Sequence, residues 1–157
     1  MSYHFRAATN DDRPAIEALV FGVLAEYGLR PDPGGTDADL QDLHESYHAA
    51  GGAFDVLTDG QGQVVGTVGL HRVSATTCEL RKMYLARAVR GQGWGRRLLE
   101  HALAQAKALG FTRVELETAS VLREAVALYE RFGFRRFEPE HLAARCDAAY
   151  FVELPAP

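Results

Sequence analysis

Val89-Arg90-Gly91-Gln92-Gly93-Trp94-Gly95-Arg96-Arg97-Leu98 is a glycine-rich turn that opens an amphipathic helix, directly after the strand-like segment Glu79-Leu80-Arg81-Lys82-Met83-Tyr84-Leu85. A helix start leaves its first backbone N–H groups without intrahelical partners, and the helix dipole adds partial positive charge at the same point. Gly91, Gly93 and Gly95 let a ligand approach the backbone and tolerate positive φ. Arg90, Arg96 and Arg97 add cationic side chains. This combination reads as a pyrophosphate cradle.

Spacing decides which cradle. A dinucleotide-binding fingerprint requires glycine where Arg96 stands, and a Walker A loop requires a Gly-Lys-Ser/Thr sequence that is absent. The pattern Arg/Gln-x-x-Gly-x-Gly/Ala fits, as Arg90-Gly91-Gln92-Gly93-Trp94-Gly95. Downstream, a helix from Arg96 to about Leu109 aligns Leu98, Leu99, Ala102, Leu103, Ala106 and Leu109 on one stripe, closed by Gly110. Thr112–Thr118 alternates as a strand, and a second helix runs from Arg123 to Phe132, where Gly133 stops it and Phe134 resumes a strand. Its run Ala125-x-x-Leu128-Tyr129-Glu130-Arg131-Phe132-Gly133-Phe134 and the glycine turn are similar to the two signatures of the GNAT superfamily of N-acetyltransferases, in the same order. The resemblance is close over the second half of the chain and extends to the first half through its pattern of elements.

Composition agrees with one domain spanning residues 1–157: 47% of residues are apolar, enough for a sizeable core. A net charge of −4 argues against a general nucleic-acid binder. No stretch approaches a membrane span, and the segment 1–6 does not read as a signal peptide, so a cytoplasmic location is expected. Cys78 and Cys146 lack metal-ligand spacing and are expected to be reduced thiols. His71 and the cluster His44, His48 make no metal motif either, so no metal is expected.

The first half reads as a strand from Tyr3 to Ala8, then a helix opened by Thr9, Asp12 and Pro14 and reaching about Tyr27. A loop from Gly28 to Gly35 follows, interrupted by Pro31 and Pro33. A second helix is expected from Thr36 to Gly51-Gly52, with Leu40, Leu43 and Tyr47 on its inner face. Ala53–Thr58 and Val64–Val73 read as a hairpin around Asp59-Gly60-Gln61-Gly62, followed by the strand Thr77–Leu85. The order β-α-α-β-β-β-α-β-α-β-β is the arrangement the resemblance implies, an α/β (α+β) fold with a mixed, mostly antiparallel central sheet and helices on both faces.

The resemblance implies acetyl transfer from acetyl-CoA, acting as co-substrate, to a primary amine. Amines with pKa of about 8 to 10 are mostly protonated at neutral pH, so the site needs a proton acceptor and a proton donor for the departing thiolate. Glu79, eleven residues before Arg90, matches the glutamate base of histone-type members, acting directly or through a water. Glu117 on the next strand is its rival. Tyr129 is the matching general acid, protonated at neutral pH. The resemblance assigns Met83, Tyr84 and Leu85 to the pantetheine amides as an added strand, and Arg90, Gly91, Gln92, Gly93, Trp94, Gly95 and Arg96 to the pyrophosphate loop. Trp94 is expected at the surface or packed on the adenine side. Leu122 stands where many relatives carry Asn, removing one polar contact to the pantetheine arm.

The resemblance also places the acceptor pocket at Tyr27–Leu43 and about Arg136–Tyr150. These segments hold no run of acids suited to a polybasic substrate. Arg30, His141 and Arg145 are the candidates for pairing with a substrate carboxylate, which points to a small molecule such as an amino acid. Acetylation of protein N-termini or lysines, and a non-catalytic acyl-CoA-binding role, are the alternatives. The chain is expected to act as a monomer or homodimer, with no nucleic-acid or membrane partner.

Overall fold

The computed structural model of the protein describes residues 2–155; Met1, Ala156 and Pro157 of the expected domain lie outside the described residues. Seven strands form one sheet: β1 (His4–Ala7), β2 (Ala53–Thr58), β3 (Val64–Arg72), β4 (Thr77–Leu85), β5 (Arg113–Thr118), β6 (Arg135–Phe137) and β7 (Ala148–Glu153). Their spatial order is β1-β2-β3-β4-β5-β7-β6, antiparallel throughout except for β4 and β5. The helices are α1 (Arg13–Glu26), α2 (Trp94–Ala108) and α3 (Arg123–Arg131).

The helices cover both faces because strand side chains alternate. Phe54 and Val56 of β2 pack with Ile16, Val20 and Leu24 of α1 on one face. Val68, Leu70, Leu80, Val114 and Leu116 pack on the other face with Leu98, Leu99, Ala102 and Ala106 of α2 and Tyr129 of α3. Leu109, expected in the buried stripe of α2, is 42% exposed because the helix ends at Ala108; Phe111 enters the core instead. Gly110 and Gly133 end α2 and α3 at φ of +91° and +87°, where an L side chain is strained.

The expected second helix does not form as one α-helix. Its residues make a 3₁₀ turn at Ala38–Gln41 and a π-helical turn at His44–His48, separated at an extended Asp42. Side chains capture the backbone there: nearby Asp42 Oδ1 accepts the Glu45 N–H, and Asn10 Oδ1, distant in sequence, accepts the Leu43 N–H at 2.7 Å. Leu40, Leu43 and Tyr47 are nevertheless buried, as the inner-face spacing requires.

Candidate active site

β4 and β5 pair only from Thr77–Glu79 with Arg113–Glu115. Beyond that point the two strands separate, and a cavity of about 570 Å³ opens between them. Leu80–Leu85 and Glu117–Ala119 form its walls; it extends past Leu122, Ala125, Leu128 and Tyr129 to Gly95 at the start of α2. β4 carries a bulge where it opens. Between the pairs Gly69–Arg81 and Thr67–Tyr84, Lys82 and Met83 oppose the single residue Val68. Lys82 takes φ of +55°, and its carbonyl accepts a 2.7 Å hydrogen bond from Thr67 Oγ1.

At the α2 end, Gly91 and Gly93 adopt φ of +75° and +86°, and a Cβ built on either would meet open space. The first helical bond into this turn runs from Arg97 N–H to the Gly93 carbonyl, leaving the preceding amides available to an anion. The three arginines are otherwise engaged. Arg90 donates to the Leu85 carbonyl at 2.9 and 3.0 Å and pairs with Glu26 at 2.7 Å, so it straps α1 to β4 instead of presenting a free charge to the glycine turn. Arg96 pairs with Glu100, and Arg97 lies over the Trp94 ring. Trp94 packs on Tyr3, with ring centroids 4.9 Å apart. Met83, Tyr84 and Leu85 line the cavity, though the Leu85 carbonyl is taken by Arg90.

Glu79, at the last pair before the strands part, and Glu117 and Tyr129 all line the cavity. Glu79 Oε1 accepts from Arg81 Nε at 2.6 Å, and Glu117 Oε1 accepts from the Ala143 N–H at 2.7 Å. Tyr129 is buried, and desolvation raises its phenol above the ordinary value. Burial also raises the Tyr84 phenol to about 12 and the Cys146 thiol to about 11. Cys78 and Cys146 are both free thiols. Leu122 caps α3 without a side-chain hydrogen bond and gives the cavity an apolar wall.

The three candidate acceptor cations are not brought together as free charges. His141 lies exposed at the cavity rim. Arg30 is exposed and contributes its carbonyl, 3.4 Å from Arg145 Nη1. Arg145 lines the cavity but donates to both oxygens of Asp37, at 2.6 and 2.8 Å. Asp37 also accepts from the Asp32 N–H and forms an ion pair with Lys82 Nζ at 3.2 Å. Burial opposes its ionisation, yet the Arg145 hydrogen bonds, the Asp32 amide and Lys82 together hold its carboxyl below the usual range. Lys82 Nζ reaches Asp39 at 3.1 Å, and Asp39 accepts the Tyr47 hydroxyl. Asp37, Asp39 and Lys82 went unrecognised in the sequence. The Asp-x-Asp spacing of Asp37 and Asp39 was visible, but nothing local signals the bulge that aims Lys82 at them.

Among the described residues, no helix is long and apolar enough to cross a membrane, and no group of three or more His, Cys, Asp or Glu residues is placed to hold a metal ion. Residues 22–134 match the family model described as acetyltransferase (GNAT) family. The chain is 41% identical over 138 residues to the N-acetyltransferase YjgM of Escherichia coli (strain K12), covering 85% of this chain and 82% of the relative. Its fold is similar to that of an acetyltransferase of the GNAT family from Staphylococcus aureus Mu50, with a TM-score of 0.91, 20% identity, and coverage of 98% of this chain and 100% of that one. It is also similar in fold to yncA of Salmonella typhimurium with its cofactor acetyl-CoA, with a TM-score of 0.76, 20% identity, and coverage of 100% and 96%.

Proposed function

The chain belongs to the GNAT acetyltransferase family, and from that premise we propose that it works as one acetyl-CoA-dependent domain, acetylating the primary amine of a small molecule such as an amino acid. The observation that carries this reading is the continuous cavity from Gly95 at the helix start to Glu79, Glu117 and Tyr129. The open space at Gly91 and Gly93 fits a pyrophosphate, and Leu98, Leu122, Ala125 and Leu128 suit the pantetheine arm. Bound acetyl-CoA supplies an activated thioester whose C–S bond is replaced by a C–N bond to the amine.

The residues of the chain handle the protons. Glu79 accepts one from the incoming ammonium, directly or through a water, with Glu117 as the second carboxylate within the same cavity. Tyr129 returns a proton to the departing thiolate; its raised pKa keeps the phenol protonated at neutral pH. His141 is the side chain left at the rim to hydrogen-bond a substrate carboxylate, because Arg145 is held by Asp37.

The test is thiol release from acetyl-CoA across a panel of amino acids, their amides, simple amines and a lysine peptide. Release with a small amine, above the rate with acetyl-CoA alone, supports the reading. Binding of acetyl-CoA with no release on any amine would reject it in favour of a non-catalytic role. Preference for the peptide would reassign the acceptor.

A further inference from the structure

Two loops close over the acceptor end of the cavity, and they come from opposite ends of the chain. One, between α1 and β2, contributes Leu29, Gly35, Thr36 and Asp39; the other, between β6 and β7, contributes His141 to Ala143 with Arg145 and Cys146. The second loop is tied down by the Ala143 N–H to Glu117 on β5, by Ser120 donating to Asp147, and, across to the first loop, by Arg145 donating to Asp37 and the Arg30 carbonyl. The Asp37 side chain has no solvent exposure, and that of Arg145 has 13%.

We propose that the Asp37–Arg145 pair is a specificity-determining clasp that sets the size of the acceptor by holding these two loops together over the cavity; this rests on the transferase reading above. Arginine matches a carboxylate with two parallel hydrogen bonds, so the pair fixes orientation as well as distance. Lys82, held 3.2 Å away by the β4 bulge, registers Asp37 against the floor of the same cavity. The clasp thus joins both loops to the strand that carries Glu79. Removing Arg145 leaves Asp37 with Lys82 and the Asp32 amide but no tie to the second loop, and removing Asp37 leaves the Arg145 charge without its carboxylate, so in either case the two loops are free to part. Asp37 and Arg145 act as positioning residues: neither needs to touch the acceptor.

The test compares Arg145→Gln, Asp37→Asn and Arg145→Lys with the wild type. Both neutral variants raise KM for a small amine at least tenfold with a smaller change in kcat, and both raise the rate on a lysine peptide relative to the small amine. Arg145→Lys, which keeps the charge but not the paired bonds, recovers part of the loss. If Arg145 instead bound a substrate carboxylate directly, Asp37→Asn would free it and leave KM unchanged or lower, which overturns the clasp. Amide hydrogen exchange in residues 30–39 and 138–147 reads the clasp without turnover. Faster exchange confined to both loops supports it, and unchanged exchange overturns it. A wild type that binds acetyl-CoA but acetylates no amine rejects the transferase reading, while the exchange result still decides whether the loops are clasped.

Discussion

Arg81 Nε donates a 2.6 Å hydrogen bond to Glu79 Oε1, two residues back on the same face of β4. Glu117 is bonded by an uncharged amide, the Ala143 N–H. These two carboxylates of the cavity, Glu79 and Glu117, therefore have different second duties. Glu79→Gln is expected to lower kcat by about 10- to 100-fold and to weaken the rise of rate with pH, with acetyl-CoA affinity little changed. Glu117→Ala releases the Ala143 loop and is expected to act mainly on KM for the amine. Steady-state kinetics with the reverse pattern would move the proton-accepting role to Glu117.

Tyr129→Phe is expected to cost roughly 10- to 1000-fold in kcat if the phenol protonates the thiolate. Because burial raises its pKa, the wild type should show no loss of kcat through Tyr129 between neutral pH and about pH 9. A near-wild-type rate in the variant would mean that the thiolate leaves unprotonated by this group.

Gly93 has φ of +86° and no neighbour within 4 Å of a built Cβ. Gly93→Asp therefore strains the turn by about 1–2 kcal/mol without a clash and places an anion where the phosphate is proposed to sit. Calorimetry should find acetyl-CoA binding abolished, while circular dichroism shows the fold retained. Unchanged affinity would remove the cradle assignment.

Trp94, the single tryptophan of the chain, is the first residue of α2. Its emission should shift or quench on titration with acetyl-CoA, saturating with the calorimetric Kd. A silent titration alongside measurable calorimetric binding would place the coenzyme away from this turn.

Stability should be level between about pH 5 and pH 8 and fall on both sides. Burial raises the Cys146 thiol to about 11 and the Cys78 thiol and Tyr84 phenol to about 12. A raised group stabilises the fold fully below its ordinary pKa, about 8.5 for a thiol and 10 for a phenol, and loses that contribution as pH rises through the folded value. Asp37 is lowered, so its contribution is present above the ordinary carboxylate pKa of about 3.9 and lost as pH falls through its folded value. Melting temperatures across pH 3–11 check both limbs. Asp37→Asn should flatten the acid limb, and a curve that keeps the full wild-type acid limb would contradict that role.

Much of this was readable from local chemistry. The glycine-rich turn before α2, the ends of α2 and α3, and the hairpin turn held by Asp59 Oδ1 depend on glycine φ preferences, helix periodicity and short-range hydrogen bonds, all of which lie within a few residues of sequence. The helix expected after Gly35 failed for a reason of longer reach. Asn10, 33 residues away from Leu43, supplies the acceptor that breaks it.

The sequence by itself determined the order of the strands and of α1, α2 and α3, the glycine-rich turn before α2 and the apolar spacing of the core, because each is written in spacing along a single segment. Only the tertiary structure decided where charge is free. It turned Arg90 toward Glu26 and Leu85, locked Arg145 onto Asp37 across 108 residues, and aimed Lys82 through a bulge in β4. Ion pairing depends on which side chains meet after the strands part and the loops fold over, and contacts between segments so distant carry no signature in either segment alone.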